Sequence, residues 1–350
     1  MKHLGVGIIG LKHQHPRWYY PLWKYLPEYK LVAIADEDEK FLQAENELFK
    51  LDAYSDYRQL LERDDIDVVI IWQPHSQMPR TLEDAAKAGK HAIVEKPCGA
   101  DVAGVRKIVR VAQQHPSLKI SSPYCWRDHA VSIRIKQVIS QGLIGEVTAF
   151  NARLNAGGAH RYVRDNALWM LRASEGGGPM WNLGVHWLDY IRWVSGGEFV
   201  SGSGVFTPSK GEPARDIEDN AQGIWALSSG QSASIDVSYS ITPSYPGARD
   251  IYFSARGTAG SLAWEPAWTG VEDELLLVNE KNDPKCQRIR IVSEQVDGYG
   301  QQMGRDWLRQ FAQCIFNDTP PAVTPDDMLR AVEAAQMAID NPLRASWQTT

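Results

Sequence analysis

A lysine held between a carboxylate and a proline is the clearest candidate for chemistry in this sequence. Glu95, Lys96 and Pro97 follow the apolar run His91–Val94, which predicts a buried strand of a parallel sheet. The carboxyl ends of such strands face the ligand crevice of an open α/β sheet. An amine at that place can hydrogen-bond a reacting hydroxyl group and move its proton, once burial or a neighbouring cation lowers the amine's pKa. We therefore predict that Lys96 is catalytic.

A second candidate follows a run of three glycines at residues 176–178. Pro179 comes next, and glycines followed by proline predict a sharp entry into a helix. Asn182 and His186 are four residues apart, so they share one face of that helix. Because histidine titrates near neutral pH, we predict that His186 orients the substrate or shares its proton with Lys96. Asn182 would bind a neighbouring hydroxyl group.

The elements that must position Lys96 alternate regularly along the first third of the chain. Short apolar runs precede and follow helical patterns, as in βαβ units with a parallel sheet. The predicted strands cover residues 3–9, 31–35, 68–72, 91–94 and 118–121, and the predicted helices cover residues 22–26, 41–48, 57–61, 81–88 and 102–114. The sequence therefore predicts a doubly wound α/β domain over residues 1–123.

The glycines near the amino terminus predict a phosphate-binding turn. Gly5, Gly7 and Gly10 match the spacing G-x-G-x-x-G, but the first two fall inside the first predicted strand. With Gly10 as the first glycine of the turn, Lys12 and His15 occupy the second and third glycine positions. Their positive charge would compensate by attracting phosphate at the start of the next helix.

Asp36 ends the second predicted strand and indicates which dinucleotide would bind. A carboxylate there accepts hydrogen bonds from the ribose hydroxyls of NAD. A 2′-phosphate would be repelled by Asp36 and Glu37, with no arginine beside them. We therefore predict NAD as the cofactor, in preference to NADP.

The chain changes character after Pro123. A predicted helix at residues 133–139 precedes several alternating runs, two of which flank the hairpin signal Ser229-Gly230. The predicted strands cover residues 146–154, 223–228, 232–240, 250–255 and 275–278, and late helices cover residues 303–316 and 325–339. This pattern predicts a mostly antiparallel open sheet with helices, an α+β domain over residues 124–350.

Composition excludes several classes of function. The formal net charge of -6 argues against nucleic acid as a main partner. The four cysteines show no paired spacing, which predicts neither a metal site nor a disulfide framework and fits a reducing cytoplasm. The first residues read as a strand and not as a signal peptide, and no apolar run has membrane-spanning length.

Taken in order, these motifs match a known family. The chain resembles the glucose-fructose oxidoreductase, inositol dehydrogenase and rhizopine-catabolism (Gfo/Idh/MocA) family over nearly its whole length. The matching segments are residues 7–10, Asp36, residues 57–61 with 66–69, Gln73-Pro74, residues 88–91, Glu95-Lys96-Pro97, the glycine run with His186, residues 257–260 and residues 321–324.

The resemblance implies a Rossmann domain that binds a nicotinamide cofactor, and hydride transfer to or from a carbon of a sugar or cyclitol. It also implies that the second domain holds the substrate and forms a homodimer or homotetramer. The predicted cofactor-binding residues are Gly10, Lys12, His13, His15, Asp36, Gln73, Pro74, Glu95 and Lys96. The predicted substrate-binding residues are Asn182, Trp126, Arg127, His160, Tyr162 and Arg164.

Three departures from the family pattern leave two other functions open. Asn182 stands where many members carry an aspartate, and an amide cannot titrate, so an Asp-His proton relay is absent. Lys12 and His15 replace glycines of the turn. The alternatives are an NAD-dependent enzyme that cleaves glycosides by oxidising and re-reducing its substrate, and a sensor or scaffold without catalysis.

Overall fold

The computed structural model describes residues 3–208, 214–267 and 271–343. The chain forms two compact units. One contains Met1–Asp128, Tyr162–Gly177 and Glu294–Leu329, and the other contains His129–Arg161, Gly178–Ser293 and Arg330–Thr350. This division differs from the single boundary predicted after residue 123. Two later segments join the first unit because they bond to it, as in the hydrogen bond from the Tyr29 hydroxyl to the Leu308 carbonyl.

The first unit is built on a parallel sheet, as predicted, and the sheet has six strands where five were predicted. Its strands are β1 Leu4–Ile9, β2 Tyr29–Ala35, β3 Asp52–Tyr54, β4 Val68–Ile71, β5 His91–Val94 and β6 Ile120–Ser121. Their order is β3-β2-β1-β4-β5-β6, so the chain direction across the sheet reverses between β1 and β4. Every residue of β1 and of β4 is buried, which is why both read as continuous apolar runs. Met1 and Lys2, predicted to begin this region, lie outside the described residues.

Helices connect these strands. They are α1 His15–Tyr19, α2 Glu39–Phe49, α3 Tyr57–Leu61, α4 Met78–Lys87 and α5 Val102–Gln114, with a 3₁₀ turn at Tyr20–Tyr25 where an α-helix was predicted. Aspartate side chains cap the amino-terminal ends of some of these helices. At α2 the Asp38 carboxylate accepts from the Phe41 amide, and at α5 the Asp101 carboxylate accepts from the Gly104 amide.

The second unit contains a sheet of eight strands. They are β7 Val147–Ala156, β8 Phe199–Pro208, β9 Glu218–Leu227, β10 Ser232–Ser238, β11 Arg249–Gly257, β12 Gly260–Trp264, β13 Glu272–Asn279 and β14 Cys286–Val292. Their order is β14-β13-β12-β11-β7-β10-β9-β8. Among the described residues of these eight strands, only β7 and β10 pair with each other in parallel, so the prediction of a mostly antiparallel sheet is confirmed. The predicted hairpin joins β9 and β10, where Gly230 adopts a φ of 89°.

The remaining helices are α6 Ala130–Ser140, α7 Ala159–Arg164, α8 Val185–Ser195, α9 Gln301–Phe316 and α10 Pro325–Asp340. A π-helical turn, Met180–Gly184, leads directly into α8. Within the second unit, the ring of Trp187 on α8 stacks on that of Phe253 on β11, and the Trp225 indole donates to the Ala334 carbonyl. None of the helices in the described part of the chain is long and apolar enough to cross a membrane.

Four strands escaped prediction: β3, β8, β12 and β14. In β14 no residue is buried, so its residues show no apolar face. In β3 two of three residues are exposed. Edge strands of this kind carry little hydrophobic periodicity, which is the signal that sequence analysis depends on.

Candidate active site

A cavity of about 730 Å³ opens in the first unit at the carboxyl ends of β1, β2 and β4. This is the edge where the strand order reverses, and where open α/β sheets bind their ligands. The predicted residues that line it are Gly10, Lys12, Asp36, Gln73 and Pro74. Its volume lies within the range of small-molecule and cofactor sites.

Gly10 directly follows β1 and shapes one wall of this cavity. Its φ is 87°, and a Cβ atom added to it would lie 2.7 Å from the Gln73 amide nitrogen. Any other residue would therefore be strained and would clash with the chain after β4. Gly5 and Gly7 lie inside β1. The turn thus begins at Gly10, in the register that the sequence analysis chose.

The Asp36 carboxylate is fixed at the end of β2. One oxygen, Oδ2, accepts from the Leu11 amide at 2.8 Å, and the other, Oδ1, accepts from the Asp38 amide at 3.0 Å. Each carboxylate oxygen can accept a further hydrogen bond. The side chain is 8% exposed and lines the cavity, so it presents a fixed negative acceptor to a ligand there.

Two cations that line the same cavity are engaged by acidic neighbours. The Lys12 ammonium lies 3.4 Å from the Asp38 carboxylate, and the Arg58 guanidinium lies 3.2 Å from that of Asp56. The backbone amide of Phe41, followed by the hydrogen bond from Lys12, holds the pKa of Asp38 below its usual value. Lys12, at the second glycine position, thus stands at the cavity wall in an ion pair.

Four other predicted residues, His13, His15, Glu95 and Lys96, are buried in the first unit and do not line the cavity. His15 Nδ1 lies 2.8 Å from Glu95 Oε2, and the Trp72 indole donates to the same oxygen at 3.0 Å. Glu95 is completely buried, and Lys96 is 4% exposed. The Glu95-Lys96-Pro97 motif is thus buried, and its carboxylate joins a polar cluster with His15 and Trp72.

Hydrogen bonds define the protonation of two histidines here. The His15 amide donates to His13 Nδ1 at 3.0 Å, so the proton of neutral His13 must be on Nε2. Burial, followed by repulsion from His15, lowers the pKa of His13 well below its usual value. His75 Nδ1 donates to the Gly176 carbonyl at 3.2 Å, which leaves Nε2 as an acceptor. Burial, followed by Lys96, lowers the pKa of His75 to about 3.

The segment 162–177 supplies residues that the sequence analysis missed. Trp169 lines the cavity, and its ring packs edge-on against that of His75 at 4.8 Å. The Ser76 hydroxyl donates to the Glu175 carboxylate at 2.5 Å. His75 follows the predicted pair Gln73-Pro74 directly, which is a signal that could have found it. Trp169 had no such signal, because it reaches the first unit from far along the chain.

His13, His15 and Glu95 also offer ligand atoms within 4.8 Å of one another, enough to consider a metal ion. Ligands of tetrahedral zinc, at bonds of about 2.0–2.1 Å, stand about 3.3 Å apart. The 2.8 Å between His15 Nδ1 and Glu95 Oε2 is instead a hydrogen-bond distance, and Oε2 already accepts from Trp72. We interpret this group as a hydrogen-bonded cluster.

In the second unit, Asn182 and His186 are buried on the π-helical turn and the first turn of α8. The Asn182 amide donates to the Tyr239 hydroxyl at 2.8 Å. Sequence analysis missed Glu218, whose carboxylate accepts from the Met180 amide at 3.1 Å where this turn begins. Burial raises the pKa of Glu218 to about 7. Gly178 leaves room for it, since a Cβ there would lie 2.6 Å from the carboxylate.

The other predicted substrate residues have varied surroundings. The buried Arg127 guanidinium donates to the Ala322 carbonyl and lies 3.3 Å from Asp327, so it ties down the start of α10. Tyr162 is completely buried, and Trp126 is 4% exposed. Arg164 is exposed and paired with Asp165, and His160 is exposed.

The glycine turn, the acidic residue after β2 and the reversed strand order are the features of a dinucleotide-binding Rossmann fold. Two family models confirm the class. Residues 4–121 match the oxidoreductase family with an NAD-binding Rossmann fold, and residues 133–263 match the GFO/IDH/MocA C-terminal domain. The chain therefore belongs to the Gfo/Idh/MocA family of oxidoreductases.

Individual relatives are distant. The chain is 23% identical, over 93% of its length and 91% of the relative's, to a dTDP-3,4-didehydro-2,6-dideoxy-alpha-D-glucose 3-reductase from Actinomadura kijaniata. It is 27% identical to the inositol 2-dehydrogenase of Ralstonia nicotianae, over 69% and 67% of the two chains. With some other relatives the match spans less than half of either chain. The aldose-aldose oxidoreductase of Caulobacter crescentus shares the fold, with a TM-score of 0.82 at 21% identity over 97% of both chains.

Proposed function

We propose that this oxidoreductase transfers a hydride between a nicotinamide cofactor and a CH–OH carbon of a sugar, cyclitol or related polyhydroxylated molecule. The observation that carries the proposal is the cavity at the end of β1, where Gly10 and Asp36 meet the two requirements of a bound dinucleotide. The sugar and cyclitol relatives support the substrate class.

We propose NAD as the preferred cofactor. Asp36 is fixed by two backbone amides and offers acceptors to a ribose, while Glu37 beside it adds negative charge. Of the cations that line the cavity, Lys12 and Arg58 are paired with Asp38 and Asp56, which weakens their attraction for a 2′-phosphate, and Arg80 lies on α4. These contacts favour a dinucleotide without that phosphate.

Lys96 is the proposed proton carrier. When bound, the nicotinamide ring accepts or donates the hydride. In the oxidative direction, the Lys96 amine takes the proton of the reacting hydroxyl, and in the reductive direction its ammonium returns that proton to the carbonyl oxygen. Burial of Lys96 supports this role, because burial disfavours the charged form of an amine.

In the second unit, His186 and Asn182 are the proposed substrate ligands. His186 can donate or accept a hydrogen bond near neutral pH. Asn182 offers an amide that does not titrate, so it can orient a hydroxyl group without exchanging a proton. The bond from Asn182 to Tyr239 supports this role, because it fixes the amide's orientation.

We also propose a cytoplasmic location and a homodimer or homotetramer. The free thiols of Cys98 and Cys125, both buried, support a reducing compartment. The family resemblance supports the assembly.

A cofactor titration tests the function. Trp72 and Trp169 line the cavity, so binding of NADH should quench their fluorescence and excite the nicotinamide by energy transfer. We expect dissociation constants below about 1 mM for NADH, and weaker binding of NADPH. Trp169→Phe should reduce the energy transfer more than Trp193→Phe on α8, which serves as the matched control. Absence of binding by either cofactor at millimolar concentration would contradict the proposal.

A further inference from the structure

His15 and Glu95 form a buried pair at the edge of the first sheet. His15 opens α1 and is 4% exposed, and Glu95 follows β5 and is completely buried. The distance of 2.8 Å between Nδ1 and Oε2 makes the imidazole N–H a charge-assisted donor to the carboxylate. In the spacing G-x-G-x-x-G that begins at Gly10, the third glycine would fall at position 15, where this chain carries His15.

The imidazole of His15 is held from several sides. Its ring centroid lies 4.4 Å from that of Tyr299, 5.7 Å from that of Tyr19 and 4.2 Å from that of His13. Among the described residues, the titratable groups that face His15 include these three side chains and Glu95. Burial raises the pKa of Tyr19 well above its usual value, so that phenol stays neutral. The His15 amide donates to His13 Nδ1, which fixes the backbone as well.

Glu95 depends on few donors. Its Oε2 accepts from His15 and from the Trp72 indole. Its Oε1 is buried and, among the residues that the structure describes, has no hydrogen-bond partner. Burying a carboxylate with one oxygen unpaired costs free energy. The side chain therefore depends strongly on the two donors to Oε2. His15 is therefore one of the donors that hold this carboxylate in place.

Lys96 shares the electrostatic surroundings of this carboxylate. Glu95 and Lys96 act with opposite signs on the pKa of His13 and on that of His75. Glu95 likewise raises the pKa of the Cys98 and Cys125 thiols, whereas Lys96 lowers it. Glu95 and Lys96 are consecutive in the chain and both are buried, so the field of each reaches the other with little screening.

We propose that His15 is a positioning residue: by donating to Glu95 it fixes that carboxylate and sets how tightly Lys96 holds its proton. The inference rests on the proposed function, because only there does the proton of Lys96 enter the reaction. The coupling itself is measurable in the protein without substrate.

The direction of the effect follows from charge. The positive end of the His15 N–H dipole lies against Glu95. It partly cancels the field by which the carboxylate stabilises the Lys96 ammonium. Without that donor, and with Glu95 still ionised, the carboxylate attracts the ammonium more strongly, so the pKa of Lys96 rises. Asparagine at position 15 can place an amide N–H near the position of Nδ1, so His15→Asn should keep the parent behaviour.

The experiment measures the pH dependence of acylation of Lys96 by trace acetic anhydride in the protein without ligands, read by mass spectrometry of its peptide. We expect the midpoint to rise by roughly 1 pH unit in His15→Ala and to stay near the parent value in His15→Asn. His115→Ala, at the end of α5, is the matched control and should leave the midpoint unchanged. An unchanged midpoint in His15→Ala would overturn the proposal, as would equal shifts in the Ala and Asn variants.

Two further measurements separate the possible failures. Trp72→Phe removes the other donor and should raise the midpoint in the same direction, which keeps the test available if His15→Ala does not fold. On a verified substrate, the acid limb of the turnover–pH profile should move with the labelling midpoint. A labelling shift without a matching change in turnover would support the coupling and count against Lys96 as the proton carrier of the proposed function.

Discussion

Polar side chains lie at the strand ends of the first unit and also along residues Met180–Ser195 of the second unit. Different features of the fold determine their positions. Gly10, Asp36 and Lys96 come directly after or next to the end of β1, β2 and β5. Their positions follow from the order of parallel strands. Asn182 and Glu218 instead meet partners far along the chain, Tyr239 and the Met180 amide.

This difference shows which functional residues can be predicted from the pattern of the sequence. A parallel sheet brings all its carboxyl ends to one edge, so a residue's place in the sequence fixes its place in the site. A helix packed against an antiparallel sheet has no such rule. Its buried polar groups depend on which strand lies opposite, and this depends on packing of the whole unit.

Replacement of Lys96 by methionine should produce the largest effect. Lys96→Met keeps most of the side chain's length and removes its proton donors. If the amine carries the substrate proton, turnover should fall by roughly 100-fold or more, while NADH affinity changes little. Steady-state kinetics on a verified substrate and the fluorescence titration measure the two quantities.

The control for this variant is Lys87→Met, an exposed lysine on α4 that pairs with Glu83. It should retain parent turnover. If the turnover of Lys96→Met stays within a few-fold of the parent, Lys96 is a positioning residue and does not carry the substrate proton. Its place after β5 would then not indicate a catalytic role.

Replacement of Asp36 tests the same rule at β2. Asp36→Ala removes the acceptor for the ribose and the negative charge that repels a 2′-phosphate. The ratio of NADPH to NADH dissociation constants should fall by roughly 10-fold or more, since a hydrogen bond to a charged group contributes about 1.5–3 kcal/mol. Glu39→Ala, in the first turn of α2, is the control. An unchanged ratio would remove Asp36 from the cofactor site.

Local sequence patterns predict some of the features that these variants probe, but not all of them. The parallel sheet, the true start of the glycine turn at Gly10 and the hairpin at Ser229-Gly230 followed from local patterns, and the structure confirms them. Trp169 could not be predicted, because it joins the first unit from a remote segment. Glu218 could not be predicted either, since its environment arises from burial against the chain near Gly178.

Glu218 allows the second unit to be tested by stability alone. Burial raises the pKa of this carboxyl from its usual 4.5 to about 7, and the Met180 amide offsets only part of that effect. Between these two pH values the folded protein binds more protons than the unfolded chain does. Its free energy of unfolding should therefore decrease as the pH rises through this window, because the folded state must ionise a buried acid.

Glu218→Gln should remove that dependence while keeping an oxygen acceptor for the Met180 amide. Between pH 5 and about 7.5, the parent's free energy of unfolding should fall by about 1 kcal/mol more than the variant's, a value below the full shift because some solvent remains near the group. Denaturant unfolding at both pH values measures this. Glu83→Gln is the control, since the half-buried Glu83 is ionised over the whole range, its pKa lowered to about 2 by hydrogen bonds from Lys107 and Lys87. Parallel pH dependence in the parent and Glu218→Gln would mean that Glu218 is ionised before this window begins, and the helix start would then be capped by a carboxylate that keeps its charge throughout.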